Sequence, residues 1–263
     1  MSTFSTCTST NRPPSPTDGD VLFETDTKNV IIWDGTNWRG YASDGRAIFV
    51  GTFDGTDDRV ELGTLSTLNS TSAFSLTMWV KSSTTDSSTR TLWSSGSDTF
   101  YNALWFYRDG AGGTFDITLG KGGSSYAGIR YTISSQGEIF NGSWRHLGVV
   151  YNGSSIVLYL DGSTATTTTI GTTVPTSTVS TTGNNAHIAS RNDDSRYLIG
   201  SLDDVAIFNT ALSASQVSDI YSSDIYHASV QHRYTFDTNF NDSVGSNNGT
   251  GQGDATAGVV SLR

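Results

Sequence analysis

The chain has 263 residues, and its 15 Lys and Arg against 25 Asp and Glu give a formal charge of −10. Affinity for a phosphate backbone or an anionic bilayer needs clustered cations, so this balance argues against nucleic acid and membrane surfaces as partners. Roughly three residues in ten are Ser or Thr, and 28 Gly, 11 Tyr, 12 Phe and 6 Trp stand beside only 4 Pro, a mixture that reads as all-β.

Residues 1–16 read as an extended arm of Ser and Thr followed by Arg12-Pro13-Pro14-Ser15-Pro16, a run poor in ladder donors. It lacks the basic start and apolar middle of a secretory signal, and no later stretch has the apolar length to cross a bilayer, so a soluble product made in a bacterial cytosol is expected. The single cysteine, Cys7, lies in this arm and excludes an internal disulfide framework. Residues 17–45 form a small unit. Val21-Leu22-Phe23 and Val30-Ile31-Ile32-Trp33 are strand-like runs around the turn Asp26-Thr27-Lys28-Asn29, and Trp38 to Tyr41 supplies a short third strand. A meander of that size must dock on a larger body or on copies of itself.

From Ala47 to Ser223 strand patterns succeed one another at the spacing of a sandwich. Phe74 to Val80, Ala103 to Arg108 and Phe115 to Leu119 alternate in polarity. Trp144 to Tyr151 and Ile156 to Gly162 make the clearest hairpin, turning at Asn152-Gly153. The run from Ser163 to Thr182 reads as exposed strand and loop. Helical character is confined to Ser213–Tyr221, where Ser213 as N-cap and Gln216 three residues on make a capping box.

Four segments, in order, carry a resemblance to a known family: Phe53-Asp54-Gly55-Thr56-Asp57-Asp58-Arg59-Val60-Glu61-Leu62, Phe74 to Lys81, Trp144-Arg145-His146-Leu147 with Leu158 to Gly162, and Gly200 to Phe208 before Ala211-Leu212-Ser213. They are similar to the landmarks of laminin G-like domains of the concanavalin A-like jelly roll. The resemblance implies a two-sheet jelly roll over residues 46–263. His232 to Thr250 resembles that family's opening strand, yet stands at the end. The domain is therefore either circularly permuted, with residues 230–250 supplying the opening strand in place, or completed by a strand swapped between chains. Gly19 to Thr27 with Ile32 to Trp38 resembles a short module of tailed-phage fibre and other virion proteins; an ordinary aromatic hairpin is the plainer alternative.

Little in the sequence suggests catalysis. A glycosidase needs two facing carboxylates, and the three glutamates, Glu24, Glu61 and Glu138, stand far apart. His146, His187, His227 and His232 show no metal-ligand spacing. Laminin G-like relatives often hold calcium, and the resemblance points to Asp203 or Asp204 with Asn241 and Asp242 as its ligands; turn capping by these residues is the competing reading. Sugar binding, which the same resemblance implies, needs an aromatic platform with polar neighbours. Trp93, Phe100, Tyr101, Trp105, Tyr107 and Tyr126, with Arg108 and Asp109, are the candidates, and core packing accounts for about half of such residues equally well.

The expectation is a non-enzymatic bacteriophage virion protein, a fibre or capsid decoration. The arm and small module would hold it to other virion proteins, and the jelly roll would be displayed toward a host glycan. A homo-oligomer, a trimer above all, is expected. A stand-alone lectin or adhesin and a cement protein without a ligand are the alternatives.

Overall fold

In the computed structural model, residues 5–17, 20–26, 29–33, 35–36, 38–41, 49–84, 86–96, 103–121, 125–132, 139–178, 185–223, 225–226 and 229–261 are described. The N-terminal segment forms its own four-stranded sheet in the order β1 (Ser5–Cys7), β2 (Val21–Glu24), β3 (Asn29–Trp33), β4 (Trp38–Tyr41). The last three strands are the expected meander. The first differs from expectation, because part of the arm pairs parallel with β2, Ser5 opposite Leu22. Side-chain bonds fix it there: the Ser9 amide and hydroxyl donate to Asp26, and Arg12 Nε reaches the buried Glu24 at 2.6 Å. The Pro run takes no part in the ladder, as its missing N–H groups require.

The sandwich follows: β5 (Phe49–Asp54), β6 (Arg59–Gly63), β7 (Phe74–Lys81), β8 (Arg90–Gly96), β9 (Ala103–Asp109), β10 (Thr114–Gly120), β11 (Tyr126–Thr132), β12 (Arg145–Tyr151), β13 (Ile156–Leu160), β14 (Ser163–Thr164), β15 (Thr168–Gly171), β16 (Ala186–Ile188), β17 (Ile199–Phe208), α1 (Ala214–Ser223), β18 (Val230–Tyr234), β19 (Thr250–Gln252) and β20 (Thr256–Val260). One sheet runs β15-β11-β10-β9-β8-β16-β6-β19. The other runs β14-β13-β12-β7-β17-β5-β20, with β18 also on β17. All of these pairings are antiparallel. Alternation places Leu76, Met78 and Val80 of β7 and Leu147 and Val149 of β12 against Leu104, Phe106, Phe115, Ile117 and Leu119 of the facing sheet, in one continuous core.

Helix α1 begins with the expected capping box: the Gln216 amide donates to Ser213 Oγ at 3.2 Å, and the Ser213 amide to Gln216 Oε1 at 2.9 Å. Its buried Val217 and Ile220 cover the back of the second sheet over Val150, Ala206 and Phe208, a satellite core.

The tail completes this sandwich from the same chain. Strand β17 gives Ile199–Leu202 to β5 and Val205–Phe208 to β18 along one edge; between the two halves the ladder is irregular and Asp204 takes φ +49°. Tyr234 and Phe236, both fully buried, enter the main core, while β19 extends one sheet beside β6 and β20 the other beside β5.

Candidate functional site

Because side chains alternate along a strand, β9 turns Leu104 and Phe106 inward and Trp105 and Tyr107 onto the outer face of the β15-to-β19 sheet. The two outer rings stack, with centroids 3.9 Å apart and planes at 23°. The register sets Tyr107 opposite Asp116 and Asp116 opposite Arg130, so a polar group lies beside the rings on the same face. Arg130 donates to both Asp116 oxygens, Nε to Oδ1 at 2.8 Å and Nη2 to Oδ2 at 2.5 Å, and the Tyr107 hydroxyl donates to Oδ2 at 3.3 Å. Burial first, and then the Asp116 charge, push the Tyr107 hydroxyl far above its usual range, which keeps it a donor. The Asp116 side chain is wholly buried, whereas the Arg130 side chain is 39% exposed, so this guanidinium carries the group to the surface.

A turn from the β16–β17 connection roofs the rings. Arg191 and Arg196 place their guanidinium carbons 4.9 and 5.0 Å from the Trp105 ring centroid, and Trp105 Nε1 donates to Thr91 Oγ1 at 2.8 Å. The turn closes on itself through Arg191 N to Ser195 O at 2.9 Å and the Arg191–Asp193 pair at 3.0 Å. Ala189, Asp194 and Arg196 all have positive φ, at 68°, 54° and 58°, a conformation non-glycine residues seldom adopt. Trp105 is 5% exposed under this cover. The site is thus a Trp–Tyr step with a donor-rich arginine at its edge and two further arginines across its face.

Of the residues expected from the sequence to bind a ligand, Trp105 and Tyr107 come together here. Tyr126 shares their face, in register with Gly120, four positions from Arg130 along β11. Trp93 does not: the β8–β9 register slips between Thr91 and Trp93, and the indole is fully enclosed in the core. Arg108, next in sequence to Tyr107, necessarily points the other way; it is buried and donates to the backbone oxygens of Asp86 and Ser88, pinning that loop. Tyr101 and Phe100 lie outside the described residues. Asp116, Arg130, Arg191 and Arg196 were not anticipated. Alternation around Ile117 and Ile129 carries the signal for the first two, since Asp116 and Arg130 must leave the core face.

The residues expected to hold calcium make the following contacts in the structure. Asp204 faces Arg233 of β18, accepting from Nη2 at 2.6 Å and Nε at 3.1 Å, so this ion pair joins the tail to β17. Asp242 accepts from the amides of Arg233, Val244, Gly245 and Asn247 and from His232 Nδ1 at 2.7 Å. Burial pushes its carboxyl up, but the His232 bond and the amides outweigh burial and hold it below its usual value. Asn241 is exposed, its amide bonded to Asn239 Oδ1. Asp203 is buried opposite Trp79 in the ladder.

Two other groups bring three ligand atoms within 4.8 Å of one another: Glu61 with His187 and Asp194, and Asp54 with Asp57 and Asp58. The first already holds a cation, because Arg59 pairs with Glu61 at 2.8 Å and Asp194 at 2.9 Å. Burial also lowers the His187 ring, against the pull of the Arg191 carbonyl, keeping it neutral near pH 7.

Residues 54–218 match the family Laminin_G_3, described as the concanavalin A-like lectin/glucanases superfamily. The chain belongs to this family. Its fold is likewise similar to solved structures. A native heptameric SAP-like pentraxin from Limulus polyphemus has a TM-score of 0.55 and 18% identity, over 81% of this chain and 95% of that one. A putative carbohydrate binding protein from Bacteroides ovatus has a TM-score of 0.58 and 12% identity, over 83% of this chain and 63% of that one. At these identities the likeness is one of fold. No curated protein matches the sequence significantly. Strands β18 to β20 lie beyond the matched span, yet they build both sheets.

Proposed function

We propose that this laminin G-like chain is a non-enzymatic glycan-binding protein, and that its ligand face is the Trp105–Tyr107 step with Arg130 at the edge. The observation that carries this reading is the stacked aromatic pair beside the Asp116–Arg130 group. A pyranose presents an apolar face that an indole complements and hydroxyls that a charged, bidentate donor recognises. Arg191 and Arg196 cross the Trp105 ring and the turn is also tied to the sheet through Thr91 N to Arg196 O and Arg59 to Asp194, so a ligand that reaches the indole must favour a state in which this turn has moved.

A glycan microarray probed with the full chain, followed by calorimetry on the best hit, tests the assignment. Arg130→Ala, at an accessible edge, is expected to weaken binding about tenfold, and Trp105→Leu to abolish it while circular dichroism shows the sandwich intact. Failure to bind any glycan, or binding untouched by both substitutions, would overturn the reading. Hydrolysis of the bound glycan would overturn its non-enzymatic part.

We infer further that the display is on a virion, in several copies per particle and with a trimer as the unit. The resemblance of residues 19–38 to phage fibre modules and the separate N-terminal sheet support this. Weak sites on a symmetric assembly gain affinity through multivalency. Quantitative mass spectrometry of purified virions checks it: hundreds of copies indicate a capsid decoration, a few indicate a fibre, and absence rules the placement out. A stand-alone lectin would keep the glycan binding and lose the particle.

A further inference from the structure

Strand β7 ends at one rim of the sandwich beside the start of β17. The register sets Lys81 opposite Ser201, and because Val80 and Leu202 turn into the core, Lys81 and Ser201 share the outer face of the second sheet. That face is on the opposite side of the sandwich from the Trp105–Tyr107 step, which lies on the other sheet. Here the two residues line a cleft of about 240 Å³, together with Ser83, just past β7, and Ser261, just past β20. We propose that this cleft is a binding site for a phosphate group, held by the Lys81 ammonium and the hydroxyls of Ser83, Ser201 and Ser261.

The lining is rich in donors and poor in acceptors. Among the described residues the Lys81 ammonium meets no carboxylate and no hydrogen-bond acceptor, and the Ser83 and Ser201 hydroxyls make no hydrogen bond. Ser261 is set as a donor. Its Oγ accepts Nε1 of the half-buried Trp144 at 3.3 Å, which leaves the O–H free to point elsewhere. No Asp or Glu lines the cleft, in a chain whose formal charge is −10. The wall itself is fixed: the Ser82 hydroxyl donates to the Ile199 carbonyl at 2.7 Å, and the Ser82 carbonyl accepts the Gly142 amide at 2.9 Å. Gly200, at φ +147°, lets β17 approach β7 closely, since a Cβ there would lie 2.4 Å from the Lys81 carbonyl oxygen.

Four donors around one cleft, with no acidic side chain to absorb them, favour an oxyanion. A carboxylate is best met by the parallel donors of an arginine fork, which the lining lacks. An ammonium is a compact point charge and serine hydroxyls rotate, a set that suits the tetrahedral oxygens of phosphate. The volume lies below the range of about 300–1,000 Å³ that encloses a drug-sized ligand, so one compact group enters rather than a sugar chain. A single cation is too few for a nucleic-acid backbone. The group is therefore free phosphate or the phosphate end of a larger molecule.

The test titrates the full, isotopically labelled chain with sodium phosphate and follows its amide chemical shifts, at constant ionic strength so that general screening does not change. Saturable shifts at residues 81–83, 142 and 199–201 are expected, with a dissociation constant on the order of 1 mM from one charge-assisted contact and three hydroxyls. Lys81→Met keeps the stem and drops the charge, and should weaken phosphate about tenfold or more. Ser83→Ala and Ser201→Ala should each weaken it about threefold. If Lys81→Met fails to fold, the two serine variants decide. Glycerol phosphate that shifts the same amides places the group at the end of a larger ligand, and inorganic phosphate acting alone places it free in solution; the site stands in both cases. Acetate shifting these amides as strongly would overturn the assignment to phosphate. So would the absence of saturable shifts up to about 20 mM, well above the expected constant, unchanged affinity in all the folded variants, or shifts centred on Arg191 and Arg196. Glycan binding is read separately on the array, so either assignment can fail alone.

Discussion

The N-terminal sheet and the C-terminal tail both lie outside residues 54–218, the span that matches the family, yet they relate to it in opposite ways. The N-terminal sheet buries Leu22 and Ile31, and neither belongs to the two hydrophobic clusters of the sandwich. The tail has no core of its own. It gives Tyr234 and Phe236 to the main core, fills the space beside Gly51 with the Phe236 ring, and pairs three strands with both sheets. Position beyond a family boundary therefore says nothing about structural membership; ladder hydrogen bonds and buried apolar area do.

Removing residues 230–263 attacks the comparison most directly. It strips one edge of half of β17 and one side each of β5 and β6 of their partners and takes two aromatic side chains from the core. The truncated chain is expected to lose cooperative thermal unfolding and its near-ultraviolet circular dichroism. A sharp melt retained by the truncation would show that the tail is an appendage. Phe236→Ala is the milder version. The ring is fully buried in the main core, and a loss of about 3–5 kcal/mol in denaturant titration is expected. A loss under 1 kcal/mol would mean the ring packs on nothing essential.

Asp242→Asn is expected to cost less, about 2–3 kcal/mol, because it removes charge from a carboxylate that organises the 243–247 turn through its amides. The same carboxylate gives the tail an acid limit. Its folded-state pKa lies below the usual value near 3.8, so its contribution is fully present above that value and disappears as pH falls through the lower, folded one. Hydrogen exchange at residues 231–234 should therefore accelerate first in wild type as the solution is acidified below about pH 4. In Asp242→Asn that pH dependence should vanish; its persistence would assign the acid limit to another group.

Much of the fold is legible in the sequence, because alternation is a local signal. The patterns beginning at Phe74, Ala103, Phe115 and Trp144 each became a strand, the last one residue shorter, and the Ser213–Gln216 box became the start of the helix. Strand β8, Arg90–Gly96, escaped because Thr91, Ser94 and Ser95 are buried on it and its register slips at Trp93, so polarity and position fall out of step. The ligand face was half legible. Trp105 and Tyr107 are two apart and must share a side, while Arg108 between their partners' rows cannot join them. The arginine roof arrives from a turn more than eighty residues away, and Ser261 reaches the cleft of Lys81 from almost two hundred, distances at which no local pattern exists.

Deleting residues 1–45 is expected to have the smallest effect on the sandwich. The segment's salt bridge, Arg12 to Glu24, and its bonds from Ser9 to Asp26 are internal to it, so the melting temperature of the remaining domain should stay within about 2 °C of wild type, the shift given by well under 1 kcal/mol in a chain of this length. Glycan binding should be unchanged in the same protein at equal monomer concentration. What the deletion should remove is assembly: if the small sheet holds copies together, sedimentation will show the shortened chain as a monomer and avidity on a glycan-coated surface will fall by the factor that multivalency supplied. A shortened chain that still sediments as an oligomer would place the contact on the sandwich instead, and a destabilised one would show that the N-terminal sheet, like the tail, belongs to the core.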